Sequence, residues 1–174
     1  MNDKKIWISS DLHLGHANII KYCPDSRPFS NAEEMDNQII TNWNSVVGKD
    51  DYVYILGDVA FCNANKAKEK LDSMNGLKVL VAGNHDHKLK TQEPFISCFK
   101  FITDYMEVKF EDTNIVMFHY PIESWNGMYH GSIHLFGHRH GSPIKTVGKL
   151  KDVGLDTNNL FPYLLSDIIA KMMD

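Results

Sequence analysis

The chain has 174 residues, 43% of them hydrophobic, and a net charge of −4. That length suits one compact domain with a full core, expected here over residues 1–174. The acidic balance argues against a general nucleic-acid binder, which carries a basic face. No apolar stretch approaches the roughly 20 residues that span a bilayer. Met1-Asn2-Asp3-Lys4-Lys5 leads directly into a strand rather than a secretory apolar region, so a soluble cytoplasmic protein is expected. Cys23, Cys62 and Cys98 are odd in number and lack zinc-type spacing, which predicts free thiols.

Ile6-Trp7-Ile8 is the first short apolar run, rich in strand formers and too short for a helix. Ser30-Asn31-Ala32-Glu33 predicts a capping box. It opens a helix with Met35, Ile39, Trp43 and Val46 along one face, stopped by Gly48. Tyr52 to Leu56 is the second strand, Ala64 to Met74 the second helix with Ala67, Leu71 and Met74 inward, and Leu77 to Val81 the third strand. Helices alternating with buried strands predict βαβ units in a largely parallel sheet. The second half changes character. Tyr105 to Phe110 alternates, Glu111-Asp112-Thr113-Asn114 reads as a turn, and Ile115 to Phe118 follows at once, which predicts a hairpin. Ile133 to Phe136 is a further strand and Asp152 to Leu155 a late one. Pro162 then opens a terminal helix with Leu164, Leu165, Ile168, Ile169 and Met172.

Five of these strands are followed directly by residues of metal-ligand type. They are Asp11-Leu-His13, Gly57-Asp58, Gly83-Asn84-His85-Asp86, His119, and Gly137-His138-Arg139-His140. Side chains leaving the carboxyl ends of neighbouring strands converge on one rim, where open α/β sheets bind ligands. Oxygen and imidazole donors without thiolate favour manganese, iron or zinc. So many donors exceed what one tetrahedral site with an open position can use.

This series, from Asp11 to Asp156, resembles the calcineurin-like metallophosphoesterase superfamily. The resemblance implies an α/β fold of two packed mixed β-sheets flanked by helices. It also implies two adjacent transition metals. One would be held by Asp11, His13 and His140, the other by Asn84, His119 and His138, with Asp58 bridging both. A hydroxide between the metals would attack phosphorus directly, and His85 would assist the leaving oxygen. Asp86 is placed to orient His85 through a hydrogen bond, and Asp156 reads as structural support.

Arg27 and Arg139 are the only arginines among 18 basic residues, and both fall near site segments. Arginine grips phosphate in a fork that lysine cannot copy. Arg27, on a free loop, is the preferred substrate contact. Arg139 lies between two ligands, where strand-like alternation would turn it away. His16, on the loop leaving Asp11, is a second candidate contact, and Tyr120 or Trp125 could stack against a base. His134, inside a strand, reads as a core residue. The leading expectation is a metal-dependent hydrolase of a small, possibly nucleotide-like phosphodiester or phosphomonoester. The short His119–His138 spacing leaves no room for a large cap. The alternatives are a nuclease, which needs a basic groove the chain does not announce, and a catalytically silent binding scaffold.

Overall fold

The computed structural model describes residues 4–173, and the reading of residues 1–3 as the start of a leaderless chain lies outside them. Strands β1 (Ile6–Ser9), β2 (Tyr52–Ile55) and β3 (Leu77–Val81) form where the first three apolar runs predict them. They pair in parallel, and connections carrying α1 (Ile19–Tyr22), α2 (Ala32–Val46) and α3 (Ala64–Asp72) cross between them. Short α4 (Glu93–Ile96) leads to β4 (Phe99–Thr103), which extends the sheet beyond β3. A second sheet follows. It has β5 (Met106–Phe110) antiparallel to β6 (Thr113–Met117), then β7 (Ile133–Phe136) and β8 (Leu150–Asp152) added in parallel. The chain returns through β9 (Tyr163–Leu164) to the free edge of β1 and ends in α5 (Leu165–Met173). The sheet orders are β4-β3-β2-β1-β9 and β5-β6-β7-β8. Two mixed sheets flanked by helices are therefore the architecture, as the resemblance implies.

Burial explains why the first three runs are apolar at nearly every position, with Lys78 of β3 the exception. Trp7, Val53, Ile55 and Leu80 pack with Met35, Ile39, Trp43, Ala67 and Leu71 of the helices. Their neighbours Ile8, Leu56 and Val81 pack with Ile115, Met117, Ile133 and Leu135 of the second sheet. Successive residues of a strand face opposite ways, so a sheet covered on both sides needs apolar residues at nearly every position.

Helix α2 begins one residue later than the capping box predicts. Asn31 caps it by accepting from the Glu34 amide (2.9 Å), and Glu34 Oε2 accepts from the Ser30 amide (3.0 Å). The exchange is of the expected kind, with Asn31 in the role assigned to Ser30. Helix α3 stops at Asp72, short of Met74, although Met74 is still buried. The β5–β6 turn is narrower than predicted, because Phe110 pairs with Thr113 and only Glu111-Asp112 lie between them.

Three expectations are corrected. The β4 strand was not foreseen; it is a sheet edge with Phe101 half exposed, so its apolar signal is weak. The late strand ends at Asp152, and Leu155 begins a 3-10 turn. Pro162 does not open the last helix, because Tyr163 and Leu164 pair with β1 before the helix starts. Among the described residues no helix is long and apolar enough to cross a membrane, and the three cysteines are free.

Candidate metal centre

The loops after β1 and β2 leave the sheet side by side. The amides of Asp11, His13 and Leu14 donate to the carbonyls of Gly57, Asp58 and Val59, each at 3.0 Å. This ladder holds Asp11 and His13 opposite Asp58. Five of the seven expected ligands (Asp11, His13, Asp58, His138 and His140) have φ between 46° and 66°. Left-handed backbone is uncommon outside glycine and costs energy unless its surroundings impose it. Here they do. The Asp86 carboxylate, fully buried, accepts from the amides of Asp58 (2.8 Å), Val59 (3.0 Å) and Gly83 (2.8 Å), fastening the β2 and β3 loops together. Asp11 Oδ2 accepts from the His138 amide (2.9 Å), tying the β1 loop to the β7 loop.

Close approach of these loops explains the glycines beside the ligands. A Cβ at Gly137 would lie 1.9 Å from Ser10 Oγ and 2.4 Å from Asp11 Oδ2. Overpacking a rigid site costs about 1–3 kcal/mol. Gly137→Ala is therefore expected to lower the melting temperature and weaken metal binding by displacing Asp11. Unchanged melting and unchanged metal content would show that the loop yields freely.

Two ligand groups form. In one, donor atoms of Asp11, His13 and His140 lie within 4.8 Å of one another; in the other, those of Asp58, His119 and His138 do. Asn84 Oδ1 is 2.9 Å from His119 Nε2, beside the second group. Asp58 stands between them, with Oδ1 3.6 Å from His119 Nε2 and Oδ2 3.8 Å from His13 Nε2. Cys23 also approaches His140 and Asp156, but both Asp156 oxygens are already engaged by other side chains.

The donor set fits a metal. Asp11 Oδ1 and His13 Nε2 are buried and have no hydrogen-bond partner. Each would be costly to leave bare. His140 Nε2 lies 3.9 Å from the same Asp11 oxygen. The opposite ring nitrogens are occupied, as metal-binding imidazoles require. His119 Nδ1 contacts the Leu56 carbonyl (2.7 Å), His140 Nδ1 contacts Asp156 Oδ2 (2.8 Å), and His13 Nδ1 contacts His16 Nδ1 (3.0 Å).

The electrostatics agree. Burial is the main cause that raises Asp11 to about 6, with the His140 and His119 rings opposing it. Burial, then the Arg27 charge, lowers His13 to about 2, leaving its imidazole neutral and able to ligate. Burial also acts to lower His140, but the Asp156 hydrogen bond and the Asp11 charge outweigh it and raise its pKa.

His85 stands apart from both groups. Its amide donates to Asp58 Oδ1 (3.0 Å), while its half-exposed ring brings Nε2 to 4.0 Å from Asp58 Oδ2. Asp86 does not orient it. All of that carboxylate's hydrogen bonds go to backbone amides, so Asp86 holds the loops and the catalytic expectation for it is corrected.

Arg27 is also corrected as a substrate contact. It is wholly buried. Its fork meets Asp156 through Nε–Oδ1 and Nη2–Oδ2 contacts of 2.8 Å, and it donates to the carbonyls of Asp11 (2.6 Å) and Leu12 (3.1 Å). The loop thought free to reach inward folds over the core instead. Asp156, held well below the usual carboxylate range by Arg27 and His140 despite its burial, links Arg27 to a metal-site imidazole. It is structural support, as expected.

His16 does line the cavity beside the ligands, stacked on Phe61 with ring centres 3.7 Å apart. Phe61 was missed, since a lone aromatic in a loop carries no sequence signal. Tyr120 packs its ring 4.7 Å from His138. Trp125 is buried against His134 and offers no open face. His134 is buried between the Val116 carbonyl of β6 and the Tyr120 carbonyl of the following loop, a core residue as expected.

Residues 4–160 match the calcineurin-like phosphoesterase family model. An uncharacterized protein of Methanocaldococcus jannaschii is 36% identical over 100% of this chain and 94% of its own length. The gene 66 protein of Mycobacterium phage D29 is 29% identical over 87% of each chain. Among solved structures, a protein of unknown function from Aquifex aeolicus superposes with a TM-score of 0.78 at 23% identity, covering 97% of this chain and 100% of that one. An archaeal phosphodiesterase gives 0.51 at 19% identity, over 86% and 82%. The family match over most of the sequence and the paired Asp–His groups at the strand ends lead to one conclusion: the chain belongs to the calcineurin-like phosphoesterase family.

Proposed function

We propose that the protein hydrolyses a small phosphoester, monoester or diester, at a centre of two transition-metal ions. The carrying observation is Asp58, whose two carboxylate oxygens face different ligand groups. Asp11, His13 and His140 would hold one ion, and Asn84, His119 and His138 the other. Manganese, iron or zinc bound there would supply Lewis-acid polarisation of the phosphoryl group and a water acidic enough to attack it. The protein's own contribution is alignment: the left-handed ligand residues and the Asp86 carboxylate fix both groups before substrate arrives. His85, exposed at the rim and bonded through its backbone to Asp58, is the group free to donate a proton to the leaving oxygen.

One feature favours a hydrolase over a silent scaffold. Asp11 Oδ1 and His13 Nε2, buried without partners, destabilise the fold unless a cation binds them, and a scaffold has no use for that cost. A nuclease is less well supported, because the net charge of −4 offers no basic track for a strand.

The test begins with elemental analysis of protein purified without chelator, beside Asp58→Ala. Two metals per chain are expected in the parent and a clear loss in the variant. Saturation at one metal, or unchanged loading after Asp58→Ala, would overturn the dinuclear reading. Metal-free protein reloaded with single metals should then hydrolyse members of a phosphate-ester panel. No turnover with any metal would sink the enzyme reading.

A further inference from the structure

Arg139 is the cation at this centre that nothing above employs. Strand alternation predicted that it would turn away from the ligands on either side of it. Residues 138–140 lie beyond the end of β7, however, and His138 and His140 are left-handed, with φ of 66° and 46°. Alternation does not apply there, and Arg139 lines the same cavity of about 510 Å³ as His13, Asp58, His85, His138 and His140.

Its bonding differs from that of Arg27. Among the described residues Arg139 makes no ion pair, and its Nε is buried without an acceptor. The one hydrogen bond of its side chain to the described residues runs from Nη2 to the Pro143 carbonyl (3.2 Å), which leaves most of the fork's donors unused. An unmatched cation next to a site that gathers cations is unfavourable by itself. An anion arriving in the cavity would reverse that. The same cavity also has apolar lining, from Ile19, Phe61 and the exposed ring of Tyr22.

We propose that Arg139 is a specificity-determining residue that binds a second anionic group of the substrate. That group is a carboxylate or a further phosphoryl, outside the two ligand groups that take the reacting phosphoryl. A guanidinium fork matches either group in two parallel hydrogen bonds. The apolar lining residues take the uncharged part of the leaving group. The inference rests on the hydrolase reading above and narrows it to esters with a charged leaving group.

The test is calorimetric titration of metal-loaded protein with three non-hydrolysable probes: methylphosphonate, phosphonopropionate and propylenediphosphonate. Metal content is measured after each titration. Wild-type protein should bind at least one two-anion probe more tightly than methylphosphonate, and which one it prefers identifies the carboxylate or the phosphoryl. Arg139→Ala should weaken that probe by roughly 10- to 100-fold, with a much smaller change for methylphosphonate. Arg139→Lys should recover only part of the loss, because it restores charge without the fork. If Arg139→Ala disturbs the fold or the metal content, Arg139→Gln provides the comparison.

Equal weakening of all three probes would place Arg139 on the reacting phosphoryl and overturn the proposal. No weakening of any probe would make Arg139 a tether for the 139–143 turn, with the same consequence. Wild-type protein that hydrolyses esters but binds all three probes alike overturns this proposal alone. Wild-type protein that binds no probe and turns over no ester overturns the hydrolase reading itself.

Discussion

Arg27→Met is expected to lower folding stability by about 3–5 kcal/mol, the usual cost of removing one partner from a buried ion pair. For a chain of this size that corresponds to a fall of about 6–20 °C in melting temperature. The loss has three physical parts. Asp156 is left with a buried charge that only His140 and Ser26 can satisfy. The carbonyls of Asp11 and Leu12 lose their donors. The loop carrying Asp11 and His13 loses the anchor that sets its path. Metal loss should therefore accompany destabilisation, with the group of Asp11, His13 and His140 emptying first. Urea unfolding of metal-free and metal-loaded protein, read beside elemental analysis, checks both effects. A stability change below about 1 kcal/mol, within the range of exposed ion pairs, would show that Arg27 is not the strut its contacts describe. Arg27→Lys should fall between parent and Arg27→Met, since one ammonium cannot serve Asp156 and two carbonyls together.

His85→Ala is expected to keep both metals and lose roughly 10²–10⁴ in rate. Metal retention follows from position. The His85 ring belongs to neither ligand group, and its link to Asp58 is a backbone amide that alanine also supplies. The rate loss should shrink for an ester with a nitrophenolate leaving group, which departs without a proton. Steady-state kinetics across a series of leaving groups, with metal content measured alongside, separates the alternatives. An equal loss for every leaving group would make His85 a positioning residue, and a fall in metal content would make it a ligand.

The contrast between the two arginines shows what the order of residues carries and what it omits. Strand positions, the helices between them and the series of Asp, Asn and His at strand ends are legible because they depend on local facts. These facts are apolar runs of strand length, turn residues, and the convergence of neighbouring strand ends in a parallel sheet. The ligand residues could be named on that basis, since each follows its strand within a few residues and cannot stray far from the rim; their division into two groups was implied by the family resemblance. Edge elements were harder. Residues 99–103 and 163–164 become strands because β3 and β1 present unpaired edges to them, a property of the assembled sheet and not of those residues.

Side-chain partners over long separations were decided only by tertiary structure. Arg27 and Asp156 are 129 positions apart, and nothing local distinguishes an arginine that reaches a substrate from one that braces a buried loop. Asp86 follows His85 directly, yet its carboxylate is taken by the amides of the β2 and β3 loops, because folding brings three unsatisfied donors within its reach. Arg139 reaches the cavity because the backbone on both sides of it is left-handed. The loop that carries it is tied in place by the His138 amide donating to Asp11 Oδ2, across a distance in sequence that only the closed fold abolishes.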